Sequence, residues 1–150
     1  MISALLISFL LIALTIAIHY ECLRFTSRSL AEFPIFPRAR IVFVLVFAMV
    51  SHLLQVLLYA AAFYCMLRIG GFGDIGGVTN LSFADMFYFS ITSYTTLGIG
   101  DLYPHGAIRI VSGIEALNGL VLVGWTVSFT YLKMEMYWQT EAEISEGEAD

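Results

Sequence analysis

Of 150 residues, 59% are hydrophobic and only 13% are charged. Soluble domains carry about a quarter charged residues, so the composition excludes a soluble globular domain and places the chain in a lipid bilayer. The net charge of −5 gathers largely in the carboxylates of the last sixteen residues, Glu135 to Asp150, and leaves no basic surface for nucleic acid. The chain is expected to be no enzyme, with no catalytic residues and no organic cofactor, and no small-molecule substrate is identified.

Three apolar runs are long enough to form membrane helices: Met1 to Ile18, Ile41 to Leu67 and Ile108 to Leu132. A bilayer core of about 30 Å takes roughly 20 helical residues. The first run, a predicted helix over 1–20, lies near the lower limit. It lacks the basic start and the small-residue cleavage site of a signal peptide, and is expected to be retained as a transmembrane helix. It carries no arginine repeat of the kind a voltage sensor needs.

A loop over 21–39 follows, broken by Pro34 and Pro37, with Phe33 and Phe36 expected at the membrane interface. It holds Arg24, Arg28, Arg38 and Arg40, four of the seven Lys and Arg. By the positive-inside rule this loop is cytoplasmic, the N-terminus outside and the C-terminus cytoplasmic. Cys22 and Cys65 fall at opposite ends of their helices and are expected to pack as small apolar side chains.

The second helix is predicted over 40–67. His52 and Gln55, at i and i+3, share one face, and such a pair in a membrane helix usually hydrogen-bonds to a neighbouring helix. A proton-sensing role for His52 is the alternative. Residues 68–81 are rich in glycine and contain a literal G-x-G-x-x-G at Gly71, Gly73 and Gly76. The dinucleotide-binding reading needs a strand before it and a helix after it. A membrane helix precedes it instead, so this stretch reads as a flexible turret.

Ser82-Phe83-Ala84-Asp85 has the form of a helix start, with Ser82 capping and Asp85 at the positive end of the dipole. The helix predicted over 82–95 is too short to span the bilayer. After it comes Thr95-Thr96-Leu97-Gly98-Ile99-Gly100-Asp101, with the segment 96–101 read as an ion-selectivity filter. A dehydrated cation needs a column of oxygens, which backbone carbonyls supply only if successive residues turn them toward one axis. That requires backbone angles alternating with the left-handed region, open to Gly98 and Gly100.

This segment resembles the potassium-channel signature Thr-Thr-Val-Gly-Tyr-Gly-Asp, with Leu97 for valine and Ile99 for tyrosine. Asp101 to Pro104 resembles the run that follows the filter in bacterial two-helix potassium channels. The resemblance covers residues 82–131 and implies an all-α membrane protein: three transmembrane helices, a re-entrant pore helix and a selectivity filter, assembled as a homotetrameric channel in the inner (plasma) membrane. One chain holds one pore segment, a quarter of the ring. K+ ions would bind at Thr96, Leu97, Gly98 and Ile99, and the pore loop would enter from the outer face, in agreement with the arginines.

Thr92, Thr95, Gly100, Asp101, Phe89 and Glu115 are the candidate filter supports. By alignment with the family, Phe89 stands where many members have a tryptophan and Thr92 where many bacterial members have a glutamate. An apolar contact is expected to replace the tryptophan–tyrosine bond, and Asp101 is left without its usual partner. Phe83, Phe87, Tyr88, Phe89 and Tyr94 would pack around the filter as an aromatic cuff.

The third helix, predicted over 108–134, contains Glu115-Ala116-Leu117-Asn118-Gly119, similar to the Glu-x-x-x-Gly of inner helices in related channels. Gly119 reads equally as a hinge and as a close-packing point, and Gly124 offers a second bend. Glu115 must find a donor or take up a proton; backbone N–H groups, Thr92 or a neighbouring subunit are the expected partners. The alignment assigns Leu120, Val123, Val127 and Tyr131 to an apolar cavity wall, with Val127 and Tyr131 at the gate. The tail over 135–150 is acidic, too short for a nucleotide-binding or calcium-sensing domain, and expected to be disordered. The pore domain thus spans 40–134. A weakly selective cation channel, or a non-conducting membrane assembly subunit, is the alternative to a K+-selective channel.

Overall fold

Hydropathy and the placement of glycine and proline decide where the long helices run. The computed structural model describes residues 1–32, 37–77 and 82–147. Helix α1 spans Ile2–Glu32, α2 Pro37–Ile69, the short α3 Phe83–Tyr94, and α4 Ile108–Gly147. Three of these are long and apolar enough to cross a membrane, over Ile2–Ser29, Ala39–Ile69 and Ile108–Gln139.

All three long helices overrun the predicted bounds. Helix α1 continues twelve residues past position 20, through much of the predicted loop over 21–39, because no glycine or proline interrupts His19 to Glu32. A Glu21–Arg24 pair at 3.0 Å and a Thr26 bond to Cys22 O support the added turns. The expected interfacial Phe33 and Phe36 lie outside the described residues. Helix α2 starts at Pro37, a residue suited to the first helical position, and closes as Gly70 N–H donates to Met66 O. Helix α4 runs to Gly147, so the tail over 135–147 is helical where disorder was expected. Met, Glu, Gln and Ala dominate that segment, and their helix propensity outweighs the spacing of the carboxylates.

The predicted turret is tied down. Strand β1 (Ile75–Gly76) pairs antiparallel with β2 (Tyr103–Pro104), matching Ile75 with Pro104 and Gly76 with Tyr103. Outside the ladder, His105 N–H donates to Asp74 O and Ala107 N–H to Phe72 O, both at 2.7 Å. The glycines make this approach possible: a Cβ on Gly73 would sit 2.1 Å from His105 O, and one on Gly77 2.1 Å from Asp101 O. The G-x-G-x-x-G pattern therefore records contact between two loops.

Helix α3 begins as its sequence predicts, with Ser82 Oγ accepting from Asp85 N–H at 3.1 Å. It packs against α2 and α4, and α1 packs against the same two helices. The apolar core joins Ala4 and Leu11 of α1, Tyr59, Phe63 and Met66 of α2, Met86 and Phe89 of α3, and Ile108 and Val111 of α4. This core holds α3, and with it the loop 95–102, at one end of the bundle.

Candidate ion-binding filter

Helix α3 ends at Tyr94, where Thr95 N–H still reaches Ile91 O and Thr96 N–H bonds to Ser93 O at 2.9 Å. Beyond this point φ alternates in sign. Thr96, Gly98 and Gly100 have φ of 58°, 53° and 89°, and Leu97 and Ile99 between them do not enter the positive region. Alternation was expected from the two glycines alone; Thr96 extends it by one residue. A β-branched residue at positive φ is strained by about 1–3 kcal/mol, and among the described residues Thr96 is the one non-glycine to adopt it.

One backbone bond anchors the middle of the loop, from Gly98 N–H to Thr92 O at 3.1 Å. Among the described residues, the carbonyl oxygens of Thr96, Leu97, Gly98 and Ile99 accept no hydrogen bond. Leu97 is 63% exposed and Ile99 58%, so both apolar side chains stand off the single chain. A hollow of about 390 Å³ opens beside the loop, bounded by Thr92, Thr96, Gly98, Gly100, Ser112 and Ala116 among others.

The supporting residues are arranged differently from the sequence reading. Phe89 is buried and meets Phe63 of α2 edge to face at 5.1 Å, so its ring is committed to the helix bundle while Ile99 stays exposed. Thr92 donates to Phe89 O within its own helix, and Thr95 Oγ1 likewise bonds to Ile91 O. Neither reaches Glu115 or Asp101. Asp101 accepts from Leu102 N–H at 2.9 Å, and the Tyr88 phenol lies beside its carboxylate.

Glu115 is fully buried, and its partner is Ser90, not Thr92 or a backbone N–H. Ser90 Oγ lies 2.5 Å from Glu115 Oε1 and 2.9 Å from Val56 O, while Glu115 Oε2 has no partner among the described residues. A serine has one hydrogen for these two acceptors. That hydrogen is shared between Glu115 Oε1 and Val56 O, so Ser90 ties α3 to both neighbouring helices. The cluster joins α2, α3 and α4 one helical turn behind the filter.

Gly119 lies one turn further along the same face of α4, and a Cβ there would fall 2.2 Å from Tyr94 O. Close packing accounts for this glycine. Gly124 has open space around it, with nothing within 4 Å of an added Cβ. Leu120, Val123, Val127 and Tyr131 are all exposed, unlike Leu122 on the opposite face.

A second layer of polar contacts was only half visible in the sequence. His52 Nδ1 meets Tyr94 OH at 2.8 Å, and Tyr94 also donates to Gln55 Oε1. Gln55 Nε2 lies 3.1 Å from His19 Nδ1 of α1, and His52 Nε2 lies 2.9 Å from Thr126 Oγ1 of α4. His52 and Gln55 therefore bond to neighbouring helices, as their shared face implied. Tyr94, expected in the aromatic cuff, carries the hydrogen bonds that connect α3 to this layer. His19, Ser90 and Thr126 escaped the sequence reading. For Ser90 the signal lay in matched spacings: Ser90 and Tyr94 on α3 meet Glu115 and Gly119 on α4, both at i, i+4.

Comparison of the chain with curated proteins and with solved structures returned no match. A protein-family profile described as an ion channel matches residues 40–135, from the first turn of α2 through most of the apolar part of α4. The matched segment contains the short helix α3, the loop with its free carbonyls and Gly119, and it covers more than half of the chain. This multi-pass membrane protein belongs to the ion-channel family.

Proposed function

We propose that the protein is a K+-selective channel that works as a homotetramer, passing ions down their gradient through a ring of four 96–100 loops. The observation that carries this reading is the run of free carbonyls at Thr96, Leu97, Gly98 and Ile99 on a backbone of alternating φ. Within a membrane, unpaired backbone acceptors need water or a cation, and converging carbonyls replace the hydration shell of K+. The exposed Leu97 and Ile99 side chains turn from the axis toward neighbouring subunits. Leu120, Val123, Val127 and Tyr131, exposed in one chain, line the cavity of the assembly. The arginines of 24–40 lie on the cytoplasmic side, and the filter opens outside.

Weak discrimination between K+ and Na+ is a second reading, favoured by Phe89 and Thr92. Both are occupied within the helix bundle, which leaves the filter few polar braces.

Gly98→Ala tests the assignment. Gly98 has φ 53° and open space around it, so the added methyl meets a conformational cost of about 1–2 kcal/mol without a clash. In liposomes loaded with K+, the parent protein is expected to release K+ in preference to Na+, and the variant to lose that preference. An unchanged ion preference in a folded variant would refute the filter assignment.

A further inference from the structure

At the end of the bundle away from the filter, a groove of about 420 Å³ opens between α1 and α4 beyond the His19–Thr126 contact. Its walls are Tyr20, Leu23, Arg24 and Arg28 of α1, with Trp125 and Phe129 of α4 opposite. We propose that this groove binds the headgroup of an anionic phospholipid from the leaflet that this end of the bundle meets. The inference concerns a different site from the filter and stands whether or not the pore selects K+.

Charge is the first argument. Arg24 and Arg28, at i and i+4, point from one face of α1, and Lys133 bonds to Ser27 Oγ on the groove floor at 2.9 Å. Among the described residues the groove lining contains no carboxylate, and Glu21 beside it pairs with Arg24 at the exposed surface. Such a surface pair is worth little, and an arginine fork accepts a phosphate in its place.

Depth is the second. A bilayer core of about 30 Å takes roughly 20 helical residues, so a span that starts near Ile2 brings Arg24 and Arg28 to the level of the lipid phosphates. Juxtamembrane basic residues attract anionic headgroups at that level. Tyr20 and Trp125 supply amphipathic rings suited to the same depth, and Trp125 is held against His19 at 5.3 Å. A free phosphate would use the arginines alone. Leu23 and Phe129 in the groove wall provide the apolar flank along which acyl chains lie.

Five of the seven groove residues belong to α1, outside the family-matched segment. The groove thus gives the first helix a role of its own.

Trp125 provides the test. In a Trp138→Phe background it is the only tryptophan left. The full chain is reconstituted in phosphatidylcholine liposomes containing a minor fraction of either brominated phosphatidylglycerol or brominated phosphatidylcholine, and Trp125 fluorescence is read. Brominated phosphatidylglycerol is expected to quench more strongly at equal fraction. Its advantage should fall about fivefold for Arg24→Gln or Arg28→Gln and about 25-fold for the double variant, and should persist in Arg24→Lys/Arg28→Lys. Raised salt should weaken it, a readout that needs no variant to fold. Equal quenching by the two lipids, as when a neighbouring subunit fills the groove, overturns the proposal. So does an unchanged advantage in the double glutamine variant, or its loss on adding inorganic phosphate, which would mark a site for free anions.

Discussion

Gly119→Ala places a methyl group where the backbone of α4 meets the end of α3. The added Cβ would lie 2.2 Å from Tyr94 O, 3.0 Å from Tyr94 Cγ and 3.1 Å from Tyr94 C. Comfortable heavy-atom contact is about 3.5 Å, so the two helices must separate locally by about 1 Å. The obstacle is backbone, which cannot swing aside as a side chain does. Overpacking of this kind costs about 1–3 kcal/mol, offset by at most about 1 kcal/mol of helix propensity gained from Gly→Ala. A net loss of about 1–2 kcal/mol is expected.

Gly124→Ala is the control, because nothing lies within 4 Å of its Cβ. It should be neutral or stabilising by up to about 1 kcal/mol. Tyr94 leads directly into Thr95 and Thr96, so the displacement in Gly119→Ala should also lower ion flux. Thermal unfolding in detergent reads the first effect and liposome flux the second. A Gly119→Ala protein as stable as Gly124→Ala, with only its opening altered, would refute close packing and restore the hinge.

Two further substitutions examine the polar layers. Glu115→Gln keeps an acceptor for Ser90 and is expected to melt close to the parent, whereas Glu115→Ala should lose about 2 kcal/mol or more through the lost partner and the cavity. If glutamine costs as much as alanine, the Ser90 bond is not what stabilises the cluster. Tyr94→Phe removes the hydroxyl shared by His52 and Gln55. It should cost about 1–3 kcal/mol, the range for two hydrogen bonds inside a membrane protein; an unchanged melting temperature would mean that only the ring matters.

Much of the architecture was legible because it rests on local signals. Apolar runs mark the spans, Ser82 and Asp85 mark the start of α3, and paired glycines mark the filter. What escaped depends on contacts distant in sequence. The apolar run of α1 ends near position 20, but the polar residues after it hold no glycine or proline, and the helix continues to Glu32. The turret glycines looked flexible until Asp74 and Phe72 were seen bonded to residues 105–108. Phe89 was expected against Ile99, but α2 offers it Phe63. Ser90 as the partner of Glu115 requires knowing that α3 and α4 pack with Ser90 beside Glu115. Threonine disfavours positive φ, so nothing local points to the left-handed Thr96; the closure of the loop onto Ser93 and Thr92 imposes it.

The central claim is that residues 96–100 form a K+-selective pore. Its most direct test is the reversal potential of the purified protein in planar bilayers, with K+ on one side and Na+ on the other. The account predicts current that reverses close to the K+ equilibrium potential. Current that reverses near zero would contradict selectivity, and a folded, reconstituted protein that carries no current would contradict the pore itself.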